Sequence, residues 1–590
     1  MSSEARFILA IALMLLVLVG TNLLFPPAPP PEPEAVPDGT VPEEVVREEP
    51  PPEEEVDRPA PPGPDRPTPP RPGDPDLPEL VAEDEAVEVE VDEAVEPERR
   101  VVVEGPLYRM EFSTHGARLL SAELLQFRSM AREGPVQLVA DEEVGILGSR
   151  LVVGADTVDL RGASFRVSPE DGLRLEAGGL PDTLAFIYEH PTRPFSFELR
   201  YAFDPDAYMI GVSGRVRGLE RPLLLSDLGP GLAFNEADRG VEARSMAYVV
   251  NHLQNGIRSS ELGRVEGAAV EDGPFHWAAL KSQYFVLGVL PRPAAEGGVD
   301  YLGALLAREV DDDEDARAEV AVVQSLGSAG AMSFRVFAGP QDYQILSAVG
   351  HNFQEVNPVG WRFLRPVLRP FVGVVTWILV FLHELLTVSY GWVLIIFGIM
   401  MRVLLFPLNH KAMKAQLRNL AVQPLLKEIQ TKYKDQPEKM QKELMRLYKE
   451  HGFNPLGGCW PMLLPWPILI ALFFVFQNTI ELRGVPFAWL PDLAARDPYY
   501  ILPVLLGVSM FLLQWVSLRT MEEVNPQMKM MMWFLPIFML VIFSQLPSGL
   551  NLYYLTANLA TLPQSWWIAQ ERQKVQAKGP PKVAKPVEAG

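Results

Sequence analysis

One charged side chain sits deep in an otherwise uncharged apolar run: Arg402, twelve positions into Tyr390–Leu408. Val403-Leu404-Leu405-Phe406-Pro407-Leu408 follows it, about 9 Å of further helix. A guanidinium there has two uses, and the residues alone leave both open. It can snorkel to the nearer membrane interface. It can also face a hydrated cavity between helices, because facing lipid at this depth costs at least ~2.5 kcal/mol. Polar groups that could line the same cavity stand in neighbouring apolar runs: Gln477, Asn478, Gln514, Ser517, Ser544, Gln545, Tyr553, Tyr554, Thr556 and Asn558. Each is equally suited to an interhelical hydrogen bond, worth about 0.6 kcal/mol. The tyrosines also suit a membrane interface.

Signatures of covalent chemistry are scarce. His383-Glu384-Leu385-Leu386-Thr387 begins like the zinc motif H-E-x-x-H but lacks the second histidine. No phosphate-binding P-loop occurs, and no Ser-His-Asp set stands out. The single cysteine, Cys459, excludes intramolecular disulfides and cysteine-rich metal sites. Segments 388–408, 460–480, 499–518 and 528–569 hold no Asp or Glu. Proton or cation coupling usually needs an intramembrane carboxylate, so a coupled transporter is disfavoured. No enzyme activity, cofactor or metal is expected.

These residues need a membrane scaffold, and the sequence supplies one. Four apolar runs follow Tyr390–Leu408, at about 460–480, 499–518, 528–546 and 550–569. The last two are separated by Pro547-Ser548-Gly549, which forces a tight helical hairpin. Residues 409–457 carry ten Lys/Arg against five Asp/Glu. Their stripes, Met413-Leu417-Leu420-Leu425-Ile429-Tyr433 and Met440-Leu444-Leu447, predict a helical hairpin. Asp435, Pro437 and Glu438 would start its second helix. The tail 570–590 carries five Lys/Arg against two Asp/Glu. The positive-inside rule places both basic segments in the cytoplasm.

Upstream, Phe7–Phe25 is apolar enough to span a bilayer core, about 28 Å. Pro26-Pro27-Ala28-Pro29-Pro30 follows it rather than an A-x-A site, so it reads as an uncleaved anchor. Residues 26–100 hold 22 prolines and 24 Asp/Glu against six Arg. That composition predicts a charged, extended tether. From Val101 the hydrophobic period becomes two. Tyr108–Ser113, Phe197–Phe203 and Tyr208–Val216 read as strands, turns fall at Thr114–Ala117 and Asp204–Asp206, and Asp311–Asp315 reads as a loop. Short punctuated strands to about Ala338 predict an antiparallel β-sandwich. Residues 341–387 then read as an amphipathic interfacial segment with Arg362, Arg365 and Arg369 on one face. Its uncharged stretch, Phe371–Leu382, is too short to span readily. Six spans with both ends inside give a consistent topology. The net charge of −23 then divides into −31 over residues 26–387, outside, and +8 over 388–590.

Three motifs carry a family resemblance: Asn454-Pro455-Leu456-Gly457-Gly458-Cys459, Asp497-Pro498-Tyr499-Tyr500-Ile501-Leu502-Pro503, and Pro547-Ser548-Gly549-Leu550 with Tyr553-Tyr554. In order and spacing they resemble the YidC family of bacterial membrane protein insertases, related to the mitochondrial oxidase-assembly and chloroplast Albino insertases. The resemblance covers about residues 358–575. A weaker likeness extends to the periplasmic domain of Gram-negative members, with Gly339-Pro340-Gln341-Asp342-Tyr343 as its best local sign. It implies a multi-domain membrane protein: a periplasmic antiparallel β-sandwich (supersandwich-like) on residues 101–340, and an α-helical bundle on 388–570. That bundle would be a five-helix insertase core, joined by the anchor 1–25. The resemblance also implies a hydrophilic groove open to cytoplasm and lipid, whose arginine attracts acidic substrate segments. Arg402 matches that arginine, and Gln514, Ser517, Tyr553, Tyr554 and Asn558 are the other candidate groove residues. Departures from the family pattern are Gly398 one turn before the arginine, Pro465, and Gln545.

Expected partners are nascent membrane proteins, the Sec translocon with its accessory subunits, and membrane lipids. A ribosome or signal-recognition-particle receptor would dock through 409–457 and the basic tail 571–590. No DNA partner is expected. The alternatives are a channel or transporter with an external sensing domain, and an adaptor whose sandwich binds carbohydrate or a partner. The absence of internal repeats and of intramembrane carboxylates counts against the channel or transporter.

Overall fold

The period-two segments pair into two sheets whose apolar faces meet. The computed structural model describes residues 97–292, 300–310, 317–327, 330–357, 365–407, 429, 431–433, 436–450, 466–518 and 526–577. The anchor 1–25, the acidic tether up to residue 96, the Asp311–Asp315 run, most of the 409–457 hairpin and the tail beyond 577 lie outside them.

The smaller sheet has the order β4-β3-β2-β1-β8, with β1 Arg100–Glu104, β2 Tyr108–Ser113, β3 Leu119–Arg128, β4 Pro135–Gln137 and β8 Leu173–Arg174. The larger is 14-stranded and ends through β16 Phe285–Pro291, β19 Ala331–Pro340, β11 Met209–Arg217, β10 Ser196–Phe203, β9 Asp182–Glu189 and β7 Arg166–Ser168. Strand alternation determines what enters the core. In β10, Phe197, Leu199, Tyr201 and Phe203 are buried, and the residues between them face outward. Phe112 of β2 closes the sandwich: its ring lies 5.0 Å from Tyr201 and 5.9 Å from both Phe186 and Phe203. The pairing is antiparallel as expected, except where β1 runs parallel to β8.

A short connector leads from the sandwich to the helices. In it α2, Tyr343–Val349, starts on Asp342, whose Oδ1 accepts the Gln344 and Ile345 N–H groups at 2.8 and 2.9 Å. (The earlier helix α1 is Arg239–Ser245.) Phe353 then wedges between Trp277 and Phe337, with ring centroids at 5.1 and 5.5 Å. Gly288 beneath it is needed for room, because a Cβ there would stand 2.5 Å from the Phe353 ring.

The remaining helices are α3 Arg365–Leu386, α4 Tyr390–Pro407, α5 Pro437–Glu450, α6 Trp466–Asn478, α7 Ile501–Leu518, α8 Pro526–Phe543 and α9 Ser548–Ala577. Among the described residues, α4 is long and apolar enough to cross a membrane, and shorter apolar stretches occupy 370–386, 501–516 and 532–543. α3 shows a buried and an exposed apolar stripe. Leu368, Val375, Leu379 and Leu382 are buried, whereas Phe371, Val374, Trp377, Phe381 and Leu385 are exposed. α9 continues eight residues past the expected membrane exit at 569, because Glu571-Arg572-Gln573-Lys574 are good helix formers and no Gly or Pro intervenes before Gly579.

The outer loop 479–497 fastens the helices to the sandwich. Arg483 donates from Nε to Glu236 Oε1 at 2.7 Å and from Nη1 to Arg128 O at 2.8 Å. The two side chains of this ion pair are only 3% and 9% exposed. Gly484, at φ +70°, passes so close to Met130 that a Cβ would fall 2.5 Å from its methyl group. Arg496 adds an exposed ion pair with Asp238 at 2.6 Å.

Candidate functional site

Arg402 lies on α4 five residues from its end and is half-buried. Its Nε donates to the Ala557 carbonyl of α9 at 3.1 Å. The guanidinium therefore reaches across to a neighbouring helix, and it meets a main-chain acceptor rather than a carboxylate. Small residues allow the approach. A Cβ on Gly398 would stand 3.2 Å from Thr556 Cγ2 and 3.5 Å from Tyr553 O, so α4 touches α9 through a bare glycine. This gives the Gly398 departure a physical reason: the position is a helix contact with no room for a polar side chain.

α9 distributes the other candidates around itself. Tyr553 is 6% exposed and packs between Phe397 of α4 and Phe476 of α6, with centroids at 5.6 and 5.9 Å. Tyr554 turns toward α8, with its ring 5.2 Å from Phe543. Asn558 donates from Nδ2 to Ser509 Oγ of α7 at 3.1 Å. Gln514 is half-buried on α7, and Ser517 lies in the last turn of that helix. Gln545 sits at the outer turn, within 3.4 Å of Arg496, away from the arginine. Arg402 and Tyr553 thus share the α4 side of α9, whereas Asn558 and Tyr554 face α7 and α8. Ala557 O and Ser509 are partners that composition does not reveal. The small residues Gly398 and Ala557 were the readable signal for the first.

The sequence motifs hold the outer ends of these helices. Asp497, 2% exposed, accepts from Tyr499 N at 3.0 Å and Leu502 N at 2.7 Å, which caps α7. Ser548 starts α9 against the outer loop: its Oγ donates to Asp492 O at 2.9 Å, and Gly549 N to Leu493 O at 2.8 Å. Burial raises the Asp492 carboxyl above the usual range, against the pull of the Ala494 and Gly484 N–H groups it accepts. No cluster of metal-ligating side chains occurs among the described residues.

Comparison with known proteins adds independent findings. The model of the 60Kd inner membrane protein family matches residues 381–576, and that of the YidC periplasmic domain matches residues 100–371. A membrane protein insertase YidC from Chlorobium phaeovibrioides is 31% identical over 497 residues, covering 80% of this chain and 83% of that protein. One from Chlorobium luteolum is 32% identical, covering 80% and 82%. A crystal structure of an active YidC insertase aligns with 80% of this chain and 93% of its own, at 19% identity and a TM-score of 0.32.

Proposed function

The chain belongs to the YidC family of inner-membrane protein insertases, and from that premise we propose that Arg402 and α9 form the polar wall of the groove through which segments of nascent membrane proteins pass. The observation that carries the proposal is the reach of Arg402 to Ala557 O. That bond uses one of five guanidinium donors, and among the described residues no carboxylate pairs with the charge. A client carboxylate supplies the missing anion. At contact distance, with an effective dielectric of about 20, the attraction is about 4 kcal/mol. It offsets part of the cost of bringing a polar segment into a low-dielectric layer. Tyr553 backs the arginine, and Asn558 with Ser509 fixes α9 against α7. Gln514, half-buried on α7, and Ser517, in the last turn of that helix, are the further candidates for the lining.

Insertion of this kind breaks no covalent bond and needs no nucleotide. Partition of the client's apolar segment and the membrane potential drive it. The topology that fits has six spans with the anchor 1–25 first, both termini in the cytoplasm, and the tether and sandwich outside. The basic segments 409–457 and 571–590 then face the cytoplasm as docking surfaces for a ribosome or a targeting receptor. The same insertase also serves clients delivered by the Sec translocon.

The test uses the full chain in proteoliposomes and a one-span client with either an acidic or a neutral exported tail. Arg402→Ala should slow insertion of the acidic-tailed client about tenfold more than that of the neutral one. Equal slowing of both refutes the attraction. A channel reading instead requires ion flux from the same vesicles without client, and that flux should be absent.

A further inference from the structure

The sandwich is acidic as a whole, with 35 Asp/Glu against 22 Lys/Arg over residues 101–340, yet one of its faces is basic. That face is the side of the larger sheet turned away from the smaller one, across β7, β9, β10, β11, β19 and the end of β16. Strand alternation puts Arg166, Arg200, Arg215, Arg217, Arg335 and Arg292 there, against Glu189 and Glu198. Glu189 pairs with Arg166, and Glu198 with Arg200. Arg217, Arg292 and Arg335 have no carboxylate partner among the described residues. Arg335 is the least exposed of these three. Its Nε is buried without an acceptor, and burial together with the nearby Arg292 charge holds the guanidinium below its usual range. The floor beside it is made of small residues, with Ala202 opposite Gly211 and Ser213 opposite Ser333.

A cationic face of this kind suits an anionic partner, and the sequence holds one next to it. Residues 83–96 contain eight Asp/Glu and no Lys or Arg. Glu88, Glu90 and Asp92 alternate with valines, so an extended chain presents three carboxylates on one side, about 7 Å apart. The segment joins the sandwich at the β7 edge of the basic face. There Arg99 N donates to Thr114 Oγ1 at 3.0 Å, Phe165 N donates to Thr114 O at 2.8 Å, and Arg99 pairs with Glu170 at 3.2 Å. Phe165 and Glu170 flank β7 in the chain. From β7 to β16 is five strand spacings, about 24 Å. Residues 83–96, fully extended, reach about 43 Å, enough to cross.

Attachment favours this segment over any other anion. Exposed ion pairs are weak singly, so an acidic peptide arriving from solution would occupy the face little. A segment joined at the edge of the face acts at an effective concentration in the millimolar range, and several weak pairs then form together. We propose that residues 83–96 dock across this face with their carboxylates on Arg217, Arg292 and Arg335, so that the chain covers its own basic surface with the end of its acidic tether. The inference does not depend on the groove assigned to Arg402.

The test is photocrosslinking in the full-length protein in nanodiscs, with adducts mapped by mass spectrometry. One photoreactive residue replaces Ser213, exposed on β11 three strands in from β7. The other replaces Val144, which is 55% exposed and stands beside the point of attachment, because Arg118 donates to Val144 O at 2.6 Å and pairs with Glu98 at 3.5 Å. A tether that wanders freely favours Val144. A docked one should give adducts between residues 83–96 and position 213 about fivefold more often than with position 144, the combined effect of three exposed ion pairs. Salt at about 1 M, where the Debye length is about 3 Å, should remove that excess. So should Glu88→Gln with Glu90→Gln and Asp92→Asn, and so should Arg217→Gln with Arg335→Gln. The tether variant lies outside the sandwich and leaves its fold untouched, and unchanged melting makes the arginine variant comparable. Adducts at position 213 no more frequent than at 144, or an excess that survives the tether variant, overturn the proposal. So do adducts at 213 to lipid, or to the acidic tail of an added client, in place of residues 83–96.

Discussion

Replacing Arg483 with alanine should release the outer loop from the β-sandwich. The guanidinium pairs with Glu236 at 2.7 Å and donates to the Arg128 carbonyl at 2.8 Å. It also lies 5.2 Å from the centre of the Phe285 ring. Both charged side chains are more than nine-tenths buried, so truncation strands Glu236 without solvent or partner. Breaking such a pair costs about 3–5 kcal/mol. Hydrogen exchange on the full-length protein in nanodiscs measures this directly. The amides of Gly484, Leu493 and Ala494 are hydrogen-bonded within the docked loop, to Asp492 Oδ1, Val485 O and Asp492 Oδ1. Their protection should fall by about two to four orders of magnitude in Arg483→Ala. The double variant Arg483→Met with Glu236→Gln should recover most of it, because no charge is then stranded. Arg496→Ala is the internal control. Its pair with Asp238 is 47% and 38% exposed and should cost no more than about 1 kcal/mol. A change below about threefold in Arg483→Ala would place Arg483 in that surface class and refute the claim that it fastens the two parts together.

Two further outcomes follow from the same geometry. Gly398→Val should separate α4 from α9, since even a Cβ would stand 3.2 Å from Thr556. The overpacking costs about 1–3 kcal/mol and should lower both melting temperature and insertion, whereas Gly398→Ala should be milder on both. Glu242 is fully buried, and burial pushes its carboxyl from 4.5 up to about 7. A folded-state value above the unfolded one gives stability that is complete below the unfolded value and lost as pH rises through the folded one. Stability should therefore fall by about 3 kcal/mol between about pH 4.5 and about pH 7. Melting of the full-length protein in detergent across that window checks it, and Glu242→Gln should flatten the curve.

The sandwich was legible because strand alternation shows directly in the order of side chains. The residues that alternate in Phe197–Phe203 are the ones that enter the core. The parallel contact of β1 with β8 was not legible, because Leu173-Arg174 is too short to carry a period. The motifs were readable as a family mark but not as mechanics. In the folded chain Asp497 caps α7 and Ser548 grips the outer loop, contacts that no local pattern announces. Arg402 was conspicuous as a lone charge, but its acceptor is a backbone carbonyl, and every residue has one. The Arg483–Glu236 pair joins positions 247 residues apart, and no local pattern points to it. Gly398 read as a missing polar group. Its use lies in what the neighbouring helix needs, a property of two segments 155 residues apart at the Arg402–Ala557 contact.

The central claim is that clients pass along the α4–α9 surface at Arg402. A photoreactive residue at Leu405, half-buried one turn beyond Arg402, tests it against one at Ile537, 62% exposed on α8. With stalled nascent chains of a one-span membrane protein, Leu405 should crosslink to the client segment and Ile537 should mark lipid. Client adducts that are equal at both positions, or that favour Ile537, would contradict the account.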